Sequence, residues 1–218
     1  DLKEFWHVGR NLAQDDKYRK WMHDNLFINE VPGLSDKANT LFNQFDELGR
    51  ILLESIALYL DLDETYFSKA INKGNSVMRA IHYPPVNRNE IGERAGAHED
   101  INLITLLIGG HESGLEILSK EGQWQDATVD EEVIICNIGD MLQRLTNNFL
   151  LSTTHRVSAS LLQSESSRYS IPFFVHPNPD WEITTLPSCY NENTPNLYTE
   201  SIMAEDYLQE RLREIKLI

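Results

Sequence analysis

Basic residues are scarce in this chain: 19 Lys and Arg stand against 34 Asp and Glu, a formal charge of −15. So negative a surface repels phosphate backbones and anionic head groups, which argues against nucleic acid and the membrane surface as partners. Cysteine is scarcer still, at 2 residues, too few for a disulfide scaffold. Cys136, in the apolar run Val133-Ile134-Ile135-Cys136, reads as a buried thiol, and Cys189, in a loop rich in Pro and Asn, as a free one. Such a pair fits a reducing compartment. No apolar stretch approaches the roughly 18 residues of a membrane span, and the opening Asp-Leu-Lys-Glu lacks a signal-peptide pattern. A cytoplasmic, soluble protein is expected. Internal repeats and low-complexity tracts are also missing. The chain opens on Asp and not Met, which leaves room for a further N-terminal part of the natural protein.

What is present, 218 residues of which 41% are hydrophobic, suffices for one single-core domain spanning 1–218. Leu41, Phe45, Leu48, Leu52 and Ile56 recur at helical spacing within Ser35 to Leu60, with Ser35 as N-cap and Asp36 near the positive end of the helix dipole. A second helix is expected from Asp63 to Asn72, ended by Lys73-Gly74-Asn75. The texture then changes to short runs rich in β-branched, Leu and aromatic residues: Val77 to Tyr83, Asn102 to Ile108, Leu115 to Leu118, Val133 to Ile138, Ser152 to Ser158 and Arg168 to Val175. Gly, Pro, Asn and Asp separate them. The expected architecture is mainly β with flanking helices: a helical buttress at about 35–72, a jelly roll at about 77–176, and a charged amphipathic helix at about 204–215.

The chemistry starts at Ala97-His98-Glu99-Asp100. In an extended chain residues two apart share a face, so His98 and Asp100 can hold one metal ion while Glu99 points away. A third ligand comes from His155, in Ser152-Thr153-Thr154-His155-Arg156-Val157, roughly 55 residues on. Two imidazoles and one carboxylate on one face of an octahedron leave three positions open, as non-haem Fe(II) oxygenases require. Taken alone, the motif is equally compatible with a surface His98 and a core His155 whose hydrogen bonds are satisfied. Arg168-Tyr169-Ser170 adds weight, because it sets a guanidinium and a hydroxyl on one face, a pair suited to gripping a carboxylate. The apolar Ile171 to Val175 that follows buries this strand, and a buried Arg calls for an anion.

These residues, with His82-Tyr83-Pro84-Pro85, Ile101 to Leu107, Asn137 to Asn147 and Ile171 to Phe174, make nearly the whole chain resemble the Fe(II)/2-oxoglutarate-dependent dioxygenases of the isopenicillin N synthase-like branch. The resemblance implies a double-stranded β-helix, or distorted jelly roll, in which His98, Asp100 and His155 ligate iron. It also implies that Arg168 and Ser170 bind the far carboxylate of 2-oxoglutarate, and that Tyr83 reaches the same cosubstrate, against the alternative of a core aromatic. Fe(II), 2-oxoglutarate and O2 would then oxidise a small organic substrate, by hydroxylation or otherwise, releasing succinate and CO2, with ascorbate as a candidate stimulant. The family's N-terminal strands and helices have no counterpart here. Asn148 stands where relatives often carry Gly, and Asn tolerates the left-handed conformation such a turn needs. The R-x-S pair also occurs in isopenicillin N synthase, where it holds a substrate carboxylate without 2-oxoglutarate, so an oxidase of that kind is the alternative. A non-catalytic jelly-roll binding protein is another.

Other residues read as follows. His82 and Tyr83, being adjacent, face opposite ways, so only one enters the barrel. His111 reads as an exposed loop residue and His176 as structural, while His7 and His23 have no partner pattern. Met141, Leu142 and Leu145 read as a helical turn packed on the core. Arg79 and Arg156 are candidates for contacts around the site or to substrate. Substrate identity and oligomeric state are not legible.

Overall fold

The computed structural model describes residues 2–85, 94–109, 114–127, 130, 132–158 and 167–216. Strands β1 (Glu4–Gly9), β2 (Val77–Tyr83), β9 (Arg168–Val175), β4 (Ile104–Ile108) and β7 (Ile134–Ile138) form a five-stranded sheet in the order β1-β2-β9-β4-β7. A four-stranded sheet, β3-β8-β5-β6, faces it, built from β3 (Ala95–His98), β8 (His155–Val157), β5 (Leu115–Leu118) and β6 (Trp124–Asp126). The hairpin of β10 (Glu182–Ile183) and β11 (Ile202–Met203) stands apart. Helices are α1 (Leu34–Tyr59), α2 (Ser68–Ile71), α3 (Asp140–Leu145) and α4 (Ala204–Glu214). Two antiparallel sheets packed face to face with helices on one side make the distorted jelly roll that the sequence implies. Among the described residues no helix is long and apolar enough to cross a membrane.

The alternation of side chains gives the large sheet two jobs. Met78, Ile104, Leu106, Phe173 and Val175 point to α1 and form the main core with Phe42, Phe45, Leu53 and Ala57. Phe173 stacks on Phe45 with ring centroids 5.3 Å apart and meets Phe42 edge-on at 5.0 Å. The opposite face, carrying Arg79, Tyr83, Thr105, Asn137, Arg168 and Ser170, looks across a cavity to the small sheet. One strand thus serves the core and the cavity with successive residues.

The buttress is a helix, but its buried line is Phe42, Phe45, Gly49, Leu53 and Ala57, with Leu41, Leu48, Leu52 and Ile56 on its flank. The shift of the contact line follows from Gly49. A Cβ there would meet Val175 Cγ2 at 2.8 Å, so α1 approaches the sheet most closely through a residue that hydrophobic periodicity passes over. The N-cap also lies two residues earlier than expected, at Gly33 with φ 77°, and the Ser35 hydroxyl instead accepts a hydrogen bond from Asn39. Asp36 does lie in the first turn.

Other expectations are corrected in detail. Cys136 is exposed, because in β7 it faces away from the cavity that Ile135 and Asn137 line. The second helix shrinks to Ser68–Ile71 behind a run of turns. β1, β3, β6, β10 and β11 were not anticipated, and β8 is limited to His155–Val157. Asn147 and Asn148 both take the left-handed conformation, at φ 51° and 64°. Pro172 lies in the central strand β9, and the ladder to β2 skips Arg79 and Ala80 opposite Ile171 and Pro172, where no proline N–H can be donated. His111 lies outside the described residues.

Two consequences are measurable. Replacing the fully buried Phe173 by Ala should cost about 3–5 kcal/mol in urea unfolding; a loss below about 1 kcal/mol would place the core elsewhere. Asp140, the first residue of α3, receives the Tyr207 hydroxyl of α4 at 3.3 Å, and burial raises its carboxyl from 3.8 to about 7. Between those pH values the fold keeps a proton that the unfolded chain releases, so stability falls as pH rises through that window and levels off above it. Asp140→Asn should therefore match the parent near pH 4 and exceed it by on the order of 4 kcal/mol above pH 7; parallel pH profiles would contradict this.

Candidate metal centre and its cavity

The cross-strand register builds the site. In the β3–β8 pairing His98 lies directly opposite His155, and the two rings sit with centroids 4.3 Å apart. Each imidazole has its Nδ1 engaged two residues back along the chain, His98 on the Gly96 carbonyl at 2.7 Å and His155 on the Thr153 carbonyl at 3.0 Å. A carbonyl only accepts, so both Nδ1 atoms carry a proton, and Nε2 is the ring atom that each histidine turns to the site. Partial burial and the neighbouring His155 lower the His98 pKa, which favours its neutral form.

Asp100 comes from the segment between the sheets, and its two oxygens have separate tasks. Oδ2 accepts hydrogen bonds from Thr105 Oγ1 at 2.7 Å and Asn137 Nδ2 at 2.9 Å, while Asn102 Nδ2 donates to the same threonine oxygen at 2.8 Å. Oδ1 faces the imidazoles, 3.9 Å from His98 Nε2 and 3.8 Å from His155 Nε2. These separations are too long for hydrogen bonds. The backbone of this segment is fixed as well: Asp140 N–H bonds the Asp100 carbonyl, Met141 N–H that of Asn102, and Gly139 N–H that of Leu103, at 2.9–3.1 Å. A Cβ on Gly139 would lie 2.0 Å from Asn102 Oδ1, so only glycine permits this approach.

One donor atom from each of His98, Asp100 and His155 lies within 4.8 Å of the others, a group that could hold a metal ion. Bonds of about 2.1 Å at right angles place donors about 3 Å apart, so capture of an ion requires them to close by about an ångström. Two imidazoles and a buttressed carboxylate are the donor set that suits Fe(II) with open positions. Glu99 turns away, as expected, and accepts from the Thr154 hydroxyl.

The cavity before these donors, about 90 Å³, is closed at one wall by Arg168 and Ser170, both nearly inaccessible at 2% and 5% exposure. The ring of the buried Tyr83, the register partner of Arg168 across β2 and β9, lies 5.1 Å beneath its guanidinium. The remaining lining is largely apolar, with Leu107, Leu115, Ile117, Ile135 and Val157. All six residues singled out in the sequence therefore border one space. Arg79 joins them, but Arg156 does not: it bonds Glu116 at 2.7 Å and lies over the Trp124 ring, since β8 turns it away when His155 turns in. His82 faces outward on the Tyr169 ring, and His176 is buried. Sequence reasoning missed Thr105 and Asn137. Their signal was a polar residue at the inward position of an otherwise apolar strand.

Comparison with known proteins agrees with this geometry. Residues 74–177 match the model of the 2OG-Fe(II) oxygenase superfamily. A solved 2OG-Fe(II) oxygenase family protein from Caulobacter crescentus is 46% identical, with a TM-score of 0.92, covering 97% of this chain and 70% of that one. Full-length T7H of Neurospora crassa in complex with alpha-KG is 32% identical at a TM-score of 0.86, over 98% and 66% of the two chains. The 2-oxoglutarate-Fe(II) type oxidoreductase hxnY of Emericella nidulans is 32% identical over 87% of this chain and 56% of its own length, and the proline hydroxylase buaE of Petromyces alliaceus 31% over 97% and 68%. The chain belongs to the 2OG-Fe(II) oxygenase superfamily. It spans little more than half the length of hxnY.

Removing one donor to Asp100 tests the buttress. Asn137→Ala and Thr105→Val should each weaken Mn(II) or Co(II) binding about 10–100-fold without lowering cooperativity of unfolding. Unchanged affinity in both would show that Oδ2 needs no support.

Proposed function

We propose that this chain is the catalytic core of a non-haem Fe(II), 2-oxoglutarate-dependent oxygenase that oxidises a small organic substrate. In this reading the described residues act as one domain, with α1 supporting the large sheet. His98 Nε2, Asp100 Oδ1 and His155 Nε2 hold the iron, and Arg168 with Ser170 holds the distal carboxylate of 2-oxoglutarate, with Tyr83 beside it. The observation that carries it is the convergence of the three donors on a cavity whose wall bears a buried guanidinium and hydroxyl. The alpha-KG complexes of T7H support the choice of cosubstrate. Two free thiols accord with a reducing, cytoplasmic setting.

Bound there, Fe(II) and 2-oxoglutarate supply O2-dependent oxidation of a substrate C–H bond, coupled to conversion of 2-oxoglutarate to succinate and CO2. The chain's residues do the positioning. The two imidazoles present Nε2 to the ion, because each Nδ1–H is held by a backbone carbonyl. Asp100 contributes one negative charge and cannot swing, because Thr105 and Asn137 restrain its second oxygen. Arg168 offers a planar fork to a carboxylate in a site with little water, where a charge-assisted pair is strong. The apolar walls exclude water from the reacting groups.

Succinate formation with Fe(II), 2-oxoglutarate and ascorbate tests this. Asp100→Ala and His155→Ala should fall to background, and Arg168→Lys should raise the KM for 2-oxoglutarate by about ten-fold or more while sparing kcat, since a point charge replaces a fork. Preserved turnover in Asp100→Ala would refute the ligand assignment. Substrate-dependent O2 uptake with no consumption of 2-oxoglutarate would instead identify an oxidase of the isopenicillin N synthase kind.

A further inference from the structure

Arg79 is a second cation on the cavity wall, and the cosubstrate does not account for it. It lies four residues before Tyr83 along β2, and Tyr83 is the partner of Arg168, so the two arginines are anchored about 13 Å apart along the sheet. They serve different parts of the wall. The Arg79 guanidinium is oriented from one edge: Nε donates to His7 Nε2 at 2.6 Å, and the group lies 4.9 and 5.0 Å from the ring centroids of Phe5 and Phe174. His7 is neutral, its pKa lowered to about 4 by burial and by Arg79 itself, so it fixes the guanidinium without cancelling its charge. The two terminal nitrogens of Arg79 make no hydrogen bond or ion pair with any described residue. Lys3 lines the same cavity.

Charge balance points the same way and rests on the function proposed above. A divalent ion (+2), Asp100 (−1), Arg168 (+1) and the dianion of 2-oxoglutarate (−2) sum to zero. Of the other two cations on the wall, Lys3 has a partner of its own, and the charge of Arg79 is then left over in a half-buried, largely apolar chamber, where an uncompensated cation is costly. A planar fork, clamped in orientation and open at its far edge, fits a carboxylate. The nearby walls, Leu107, Leu115, Ile117, Ile135 and Val157, fit a hydrocarbon skeleton.

We infer that the substrate is an apolar monocarboxylic acid, and that Arg79, steadied by His7, is the residue that selects it by its carboxylate. Arg79 is a binding and specificity residue and carries out no proton transfer.

The experiment is anaerobic calorimetric titration of the protein loaded with Fe(II) and saturated with 2-oxoglutarate, using matched pairs of aliphatic and aryl monocarboxylic acids and their primary amides. At least one acid should bind about ten-fold or more tightly than its amide, and Arg79→Gln should reduce that preference to about two-fold or less with 2-oxoglutarate affinity unchanged. Arg79→Lys, which keeps the charge and a long stem if the Gln variant does not fold, should retain part of the preference. Arg156→Gln, outside the cavity, should retain all of it. Absence of any acid-over-amide preference, or a preference that survives Arg79→Gln, overturns the inference. So does Arg79→Gln weakening 2-oxoglutarate instead. Failure of 2-oxoglutarate itself to bind the parent protein would be a failure of the proposed function, and is seen separately, before any acid is added.

Discussion

The architecture depends on how one carboxylate is shared between two sheets. Asp100 is bonded through Oδ2 to Thr105 of β4 and Asn137 of β7, both in the large sheet, and presents Oδ1 to His98 and His155, both in the small one. Each sheet alone supplies half a site. The imidazoles are aligned because they are cross-strand partners, and their Nε2 atoms face the carboxylate because backbone carbonyls take the other ring nitrogens. Orientation is thus settled by ordinary backbone hydrogen bonding before any ion arrives.

The rest of the fold can be understood as keeping that alignment. The clamp of Gly139, Asp140 and Met141 on residues 100–103 prevents the ligand segment from moving independently of β7 and α3. On the far side of the sheet, α1 presses Phe42, Phe45 and Leu53 against Phe173 and Val175, so that the strand bearing Arg168 and Ser170 is covered on both faces beyond the exposed Tyr169. Packing of this kind is stiff. It lets a buried guanidinium stand near the donors without the strand yielding to solvate it.

Much of this was legible from residue order. β2, β5 and β9 have the bounds that their β-branched and aromatic runs suggest, and the period of two put His98 with Asp100 and Arg168 with Ser170. What was not legible has physical causes. β3 is Ala-Gly-Ala-His, with no strand-forming side chains, and is a strand only because β8 pairs with it. The contact line of α1 runs through Gly49 and Ala57, small residues whose value lies in close approach and not in hydrophobicity. Cys136 looked buried because its neighbours are apolar, but β7 lies at the sheet edge, and its outward face meets solvent. Asn137 and His7 act through partners distant in sequence, 37 and 72 residues away, and the inward polar position of Asn137 does not by itself say which group it holds.

Iron anomalous diffraction from crystals grown anaerobically with Fe(II) tests the central claim most directly. The account predicts a single strong peak about 2.0–2.3 Å from His98 Nε2, Asp100 Oδ1 and His155 Nε2 together. A peak bonded to fewer than these three side chains, or lying elsewhere in the fold, would contradict it.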